Sequence, residues 1–145
     1  MPTWLLVLLL LVIDVYLVYS TSEPPKLKEV KKKYKILRDY IQTHKDSVPE
    51  KFWVITAPVI LAAKDTGELG YNSSKGYEIG LCLDGSVNDI FHVLLHELSH
   101  STVKEYSHSE KFWLNFSELR DLCVSIGLYH KIPEKKEFCG QFIQD

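Results

Sequence analysis

The chain has 145 residues, of which 46% are hydrophobic and 25% charged, and its formal net charge is −2. This length accommodates one domain, and outside the first twenty residues the composition is that of an ordinary globular protein. The small net charge excludes a general attraction to nucleic acid, so any such contact must come from a local cluster of basic residues.

The first predicted element is an apolar helix over residues 3–20, in which Asp14 is the one charged residue. Eighteen helical residues span about 27 Å, close to the hydrocarbon thickness of a bilayer. No basic residue precedes this segment, and no small-residue cleavage site follows it. We therefore predict that residues 1–20 form a transmembrane anchor; a secretory signal peptide is the alternative.

A basic cluster follows the apolar helix, and residues 21–35 are predicted to be a basic linker and the start of a second helix. By the positive-inside rule, the cluster predicts a single-pass membrane protein whose following domain is cytosolic. The same cations could contact anionic lipid or nucleic acid, or they could form a solvated helix face. The cluster consists of Lys26, Lys28, Lys31, Lys32, Lys33, Lys35 and Arg38.

Hydrophobic periodicity assigns the next elements. An amphipathic helix is predicted over about 27–44, because apolar residues recur at helical spacing. β-Branched residues on both sides of Pro58 predict one or two short strands within 52–61. A short extended piece is expected at 69–72, and the alternation over 77–83 predicts the strongest strand of the chain.

A second amphipathic helix is predicted to carry the sequence His96-Glu97-Leu98-Ser99-His100. Ser86 is its expected N-cap, with Asp89 in a capping-box arrangement, and the helix is expected to end near Lys104–Tyr106. Residues four apart share one helix face, so the two histidines can direct their imidazoles to one Zn²⁺. Glu97 is placed beside them, where its carboxylate can accept a proton from the zinc-activated water.

A third histidine follows eight residues later. Ser107 is predicted to cap another helix, with Glu110 completing its capping box and Gly127 at its C-terminal end. His108 lies at the junction between the two helices and is the expected third zinc ligand. Glu118 is the alternative, because other zincins take a glutamate ligand from a downstream helix.

Several other residues are weaker candidates. His92 lies four residues before His96 and could line the substrate cleft, although a partly buried structural histidine is the alternative. Tyr106 could also line the cleft, and both Tyr106 and Tyr71 are candidate oxyanion donors. Asp89 or Asp121 could orient a ligand histidine.

The three cysteines are scattered along the chain at positions 82, 123 and 139. They lack C-x-x-C spacing, so we predict neither a disulfide framework nor a zinc–cysteine site. Reduced cysteines would fit a cytosolic domain.

Four strings carry a resemblance to a known group: residues 69–72, 76–83, 96–100 and 108–113. Together they resemble the WLM metallopeptidases and the related SprT-like proteases over about residues 69–127. The resemblance implies an α+β, minimal zincin fold, in which a small antiparallel sheet packs on the HExxH helix. It also implies zinc bound by His96, His100 and His108, with Glu97 as general base.

These observations predict a membrane-anchored zinc endopeptidase whose domain covers residues 36–130, followed by a tail at 131–145. The substrate would be a protein or peptide, and the resemblance implies a role in cleaving proteins crosslinked to DNA. Two alternatives remain, namely a zinc-stabilised interaction module without turnover and a membrane adaptor whose histidines are structural.

Overall fold

The computed structural model describes residues 1–64 and 78–145, together with the backbone of residues 70–73. Leu69, Gly76 and Tyr77 belong to the strings that carry the family resemblance, and they lie outside the described residues. In chain order the elements are α1 (Thr3–Ser20), α2 (Pro25–Thr43), a 3-10 helix (Glu50–Thr56), β1 (Ile60–Ala63), β2 (Gly70–Ser73), β3 (Glu78–Leu81), α3 (Val87–His100), α4 (Glu110–Ser125), β4 (Lys136–Phe138) and β5 (Gln141–Ile143).

The helix α1 has the predicted bounds, and every one of its residues is exposed. By length and composition it could cross a membrane, and a signal sequence near the N-terminus would pass the same test. An 18-residue apolar helix without a buried face is unsuited to water. A bilayer or a targeting machinery is therefore its expected environment.

The sheet is mixed, so the expected purely antiparallel sheet is wrong. Within the described residues, the strand order is β1-β3-β2, and the central strand β3 pairs antiparallel with β2 but parallel with β1. Strands β2 and β3 are neighbours in sequence and pair antiparallel. The strand β1 pairs with the other edge of β3, where its direction is set by the path of the chain.

The segment predicted as strand within 52–61 divides into two parts. Residues Glu50–Thr56 form a 3-10 helix, and only Ile60 and Leu61 of the predicted segment belong to a strand. Phe52 and Ile55 are buried three residues apart, which is the period of a 3-10 helix. Apolar spacing over so short a segment fits both structures, so the sequence pattern could not separate them.

The core joins α2, β3, α3 and the last forty residues. α2 buries the face that its periodicity predicted, with Leu37 and Ile41 fully covered. The same core includes Leu27, Phe138 and Ile143. The folded unit therefore extends beyond the predicted 36–130, and the predicted tail is a β-hairpin that contributes to the core.

A disulfide joins Cys82 to Cys139, which corrects the prediction of reduced cysteines. It ties the end of β3 to the β4–β5 hairpin across 57 residues of sequence. Next to it, Phe138 lies so close to Gly85 that any side chain at position 85 would collide with its ring. Cys123 is a free buried thiol whose pKa burial raises to about 12, so it remains protonated and unreactive.

Most of the basic cluster has partners within the fold. Lys26 and Lys33 donate hydrogen bonds to the carbonyl oxygens of Leu83 and Leu128, respectively. Three further lysines form ion pairs, Lys31 with Glu23, Lys32 with Glu29 and Lys35 with Asp39. The three ion pairs offset part of the positive charge that α2 can offer to lipid headgroups or nucleic acid, whereas the two carbonyl contacts leave the lysine charges in place.

Candidate metal centre

The helix α3 begins as predicted and ends earlier. Ser86 is the N-cap, and its side chain and that of Asp89 form the predicted capping box. The helix ends at His100 with Ser101 as C-cap, rather than near Lys104–Tyr106. Because the helix ends there, residues 101–109 can turn back toward the face that carries His96 and His100.

That turn brings His108 to the other two histidines. Ser109, and not Ser107, caps α4, since its side chain accepts the Phe112 N–H at 3.2 Å. The same hydroxyl donates to the Glu105 carboxylate at 2.6 Å, a contact that a cap at Ser107 would forgo. The residue directly before this fixed cap is His108, so the start of α4 determines where the third imidazole lies.

The three imidazoles can offer nitrogens that lie within 4.8 Å of one another, so His96, His100 and His108 could hold a metal ion. His96 Nε2 lies 3.0 Å from His108 Nε2. Two imidazole nitrogens bound at about 2.0–2.1 Å to one tetrahedral zinc lie roughly 3.3 Å apart. The spacing therefore fits two ligands of a single ion, and imidazole donors suit zinc, copper, iron and nickel.

The electrostatics of the cluster keep His96 neutral. Burial, together with the neighbouring His100, His108 and His92, lowers the pKa of His96 from 6.5 to about 3. A metal ligand must be the unprotonated imidazole, so this ring is ready to coordinate at neutral pH without losing a proton.

Acidification should destabilise the metal-free protein before its carboxylates titrate. The pKa of His96 is lower in the folded than in the unfolded chain, so its stabilisation is fully present above about pH 6.5 and is lost as the pH falls toward 3. Urea unfolding of the chelator-treated protein should therefore show a falling midpoint between pH 7 and 4.5.

The variant His96→Gln is the control for this titration, because it removes the ring whose protonation is responsible. Its urea midpoint should depend less on pH over the same interval. Equal pH dependence in both proteins would contradict the assignment to His96.

Aromatic side chains of α4 pack against the three histidines, and no role at the site was predicted for them. The ring of Phe112 lies 4.5 Å from His100, 5.0 Å from His96 and 4.9 Å from His108, measured between centroids. Trp113 lies 5.6 Å from both His96 and His108 and is half exposed. These rings restrict the imidazoles and exclude water from one side. Phe112 lies within the string 108–113 that carries the family resemblance, and no role at the metal was predicted for it.

Glu97 and Glu118 have different surroundings. Glu97 is 8% exposed and follows His96 on α3. Glu118, the alternative third ligand, is a half-exposed partner of Lys51 at 2.6 Å and is outside the histidine cluster. The geometry thus favours His108 over Glu118 as the third ligand.

The two candidate aspartates are engaged elsewhere. Asp89 caps α3 and pairs with Lys136 at 2.9 Å. Burial alone would raise the pKa of Asp89, but hydrogen bonds from Lys136 and Ser86 outweigh it and lower the pKa. Asp121 pairs with Arg120 and Lys131 on the surface. Their contacts give neither aspartate a ligand histidine to orient.

The candidate cleft residues differ in exposure. Tyr106 is 78% exposed in the loop before α4, whereas His92 is only 7% exposed. His92 Nδ1 lies 2.9 Å from the Tyr129 hydroxyl and 3.2 Å from Asp145 Oδ1. Tyr71 lies on β2, whose side chains are not described. Tyr129 and Asp145 were missed, because nothing local in the sequence relates them to α3.

Two viral proteins are similar to this chain. One is an uncharacterized protein of Acanthamoeba polyphaga mimivirus, 32% identical over 93 residues, which cover 57% of this chain and 47% of the relative. The other is an uncharacterized protein of Invertebrate iridescent virus 6, 31% identical over 94 residues, which cover 63% and 46%. The chain spans about half the length of each relative. No family model and no solved structure matches it.

Proposed function

We propose that this chain is a membrane-anchored, zinc-dependent endopeptidase with a minimal zincin-like fold. The observation that supports it most is the convergence of three imidazoles, two from one helix and one from a separate loop, around a space that fits one ion. A buried glutamate stands next to the first of these ligands in sequence. Three nitrogen ligands would leave an open zinc position for a reacting group.

Each residue of the site has a distinct role in this proposal. When bound, zinc would polarise a peptide carbonyl and lower the pKa of a water molecule to about 7. His96, His100 and His108 would hold the ion, and the carboxylate of Glu97 would accept the proton of the attacking water. Phe112 shields the ligands from solvent, which strengthens electrostatic interactions within the site. The half-exposed Trp113 lies at the rim, where a substrate side chain can pack.

The substrate class follows from the WLM resemblance alone. We propose a protein or peptide substrate. The DNA-crosslinked protein that the resemblance implies is not part of this proposal, because the topology proposed below places the domain on the oxidising side of the membrane. The two viral relatives are uncharacterized and name no substrate.

Zinc analysis and a casein-type cleavage assay on the full chain in detergent test this function. One zinc per chain and cleavage that a chelator abolishes would support it. Bound zinc without cleavage of any protein substrate would instead favour the zinc-stabilised interaction module.

Two observations bear on the side of the membrane that the domain occupies. The basic cluster after α1 favours the cytosol. The Cys82–Cys139 disulfide is typical of an oxidising compartment and is rare in a reducing cytosol. Basic residues only bias the orientation in which a helix inserts, whereas a disulfide requires an oxidising environment to form and persist. We therefore give the disulfide more weight than the basic cluster. We therefore propose that α1 anchors the domain on the oxidising side, which revises the cytosolic prediction.

Sealed microsomes provide the test of this topology. The domain should resist added protease, and in the denatured protein Cys82, which is buried in the fold, and Cys139 should react with maleimide only after reduction. Cys123 serves as an internal control, because its buried thiol should react only after denaturation. Digestion of the domain by external protease, with reactive thiols at positions 82 and 139, would restore the cytosolic orientation.

A further inference from the structure

A buried amide joins the two segments that carry the metal ligands, and the proposed mechanism does not use it. Asn115 lies on α4 and is only 1% exposed. Its Nδ2 donates a hydrogen bond to the Thr102 hydroxyl at 2.9 Å. Thr102 follows His100 by two residues, and α4 begins two residues after His108. This hydrogen bond therefore spans the gap between the segments that carry the second and third ligands.

The hydrogen bonding continues from Thr102 into α3. The Thr102 hydroxyl donates to the carbonyl oxygen of Ser99 at 2.7 Å, so this hydroxyl is both donor and acceptor. Ser99 is fully buried and donates from its own hydroxyl to the carbonyl oxygen of Leu95 at 2.7 Å. Because a buried polar group that loses its partner is costly, each member of this chain holds the next in place. The last turn of α3, which carries His100, is thereby tied to α4.

The loop of residues 101–109 is held at both of its ends. The hydrogen bond from Asn115 fixes the beginning of the loop at Thr102, and the next residue, Val103, is 5% exposed. The end of the loop is fixed by the hydrogen bond from Ser109 to Glu105. His108 is exposed and lies between these contacts, so its position relative to His100 depends on both of them.

We propose that Asn115 is a positioning residue of the metal centre, which acts through Thr102 to set the distance between α3 and the loop that presents His108. Ligands already held at the spacing of a bound ion lose little conformational freedom on binding, whereas a loose loop must be ordered at that moment. Asn115 thus raises the affinity for zinc without contacting the ion. The inference rests on the metal centre of the proposed function and is independent of hydrolysis.

Competition titration with a chromophoric chelator, on the full chain in detergent, tests this role. Asn115→Ala should weaken zinc binding by about 10- to 100-fold, the range for removal of a partner that orients a ligand. Thr102→Val removes the other half of the hydrogen bond and should have a similar effect, whereas Thr102→Ser retains the hydroxyl and should bind zinc as the wild type does. The double variant Asn115→Ala/Thr102→Val should bind no more weakly than either single variant, because both remove the same contact.

A cycle with His108→Ala separates positioning from a general structural role. If Asn115 acts through His108, its removal has no ligand left to displace once that imidazole is gone. Asn115→Ala should therefore change the zinc affinity of the His108→Ala variant by less than about two-fold. A residue that only supports the fold would weaken binding equally in both backgrounds.

Asn88→Ala is the matched control, because Asn88 also joins α3 to another segment. Its side chain exchanges two hydrogen bonds with the backbone of His130, each at 2.9 Å. The substitution removes an amide from the same helix that carries two ligands but does not touch the loop that presents His108. Its zinc affinity should equal that of the wild type.

Hydrogen exchange of the metal-free protein reports on the loop directly. The Thr102 N–H donates to the Ser99 carbonyl oxygen at 3.1 Å, so its exchange rate shows whether the junction of α3 and the loop is held. Exchange over residues 101–109 should be faster in Asn115→Ala than in the wild type and unchanged in Asn88→Ala. Wild-type exchange in Asn115→Ala would overturn the proposal.

Wild-type zinc affinity in a folded Asn115→Ala variant would also overturn it, as would an equal loss in the presence and absence of His108. If Asn115→Ala fails to fold, Thr102→Val decides, because Thr102 is only half-buried; wild-type affinity in that variant would contradict the proposal. A wild type that binds zinc but hydrolyses nothing overturns the peptidase function alone, since the affinity and exchange measurements still support the role of Asn115. Hydrolysis by the wild type, with full zinc affinity in both variants, overturns the role of Asn115 alone.

Discussion

Glu97→Gln should reduce peptide-bond hydrolysis by about 10²- to 10⁴-fold, the range over which a positioned general base contributes. The amide has nearly the shape of the carboxylate but cannot accept the proton of the attacking water. Zinc should remain bound at one per chain, because the ligands in the proposal are His96, His100 and His108. Cleavage of a casein-type substrate and metal analysis of the same sample measure both quantities.

Glu118→Gln is the matched control for this substitution, because it makes the same chemical change at a half-exposed glutamate that pairs with Lys51 outside the histidine cluster. Its activity should equal that of the wild type. Full activity in Glu97→Gln would show that the general-base assignment is wrong. Loss of zinc in that variant would show that Glu97 supports the metal rather than the chemistry.

His108→Ala should weaken zinc binding by more than about 100-fold. Removing a partner that only orients a ligand costs about 10- to 100-fold in metal affinity, so removing a ligand should cost more. His108 is exposed, and its loss should therefore affect the metal more than the fold. Competition titration with a chromophoric chelator gives the affinity, and thermal unfolding shows whether the variant is folded.

Two controls accompany the His108 variant. His130→Ala removes an exposed histidine outside the cluster, and Glu118→Ala removes the alternative ligand; neither should change zinc affinity. Weak binding in Glu118→Ala, together with normal binding in His108→Ala, would convert the centre to a glutamate-type site.

The sequence determined the features that depend on neighbouring residues. The bounds of α1 and the buried face of α2 follow from apolar composition and 3.6-residue periodicity. The start of α3 follows from the capping chemistry of Ser86 and Asp89. The approach of His96 and His100 follows from their spacing of four, because one helical turn places such residues on the same face.

The tertiary structure decided what depends on residues far apart in sequence. The spacing of His96 and His108 does not fix the path of the loop between them; the contact of Ser109 with Glu105 does. The parallel pairing of β1 with β3 and the Cys82–Cys139 disulfide arise between segments that only the whole core brings together. The same holds for Asp145, which is 53 residues from His92 in sequence but contacts it in the fold. Local sequence patterns do not indicate these contacts, because the contacts form only when the core between the segments is packed.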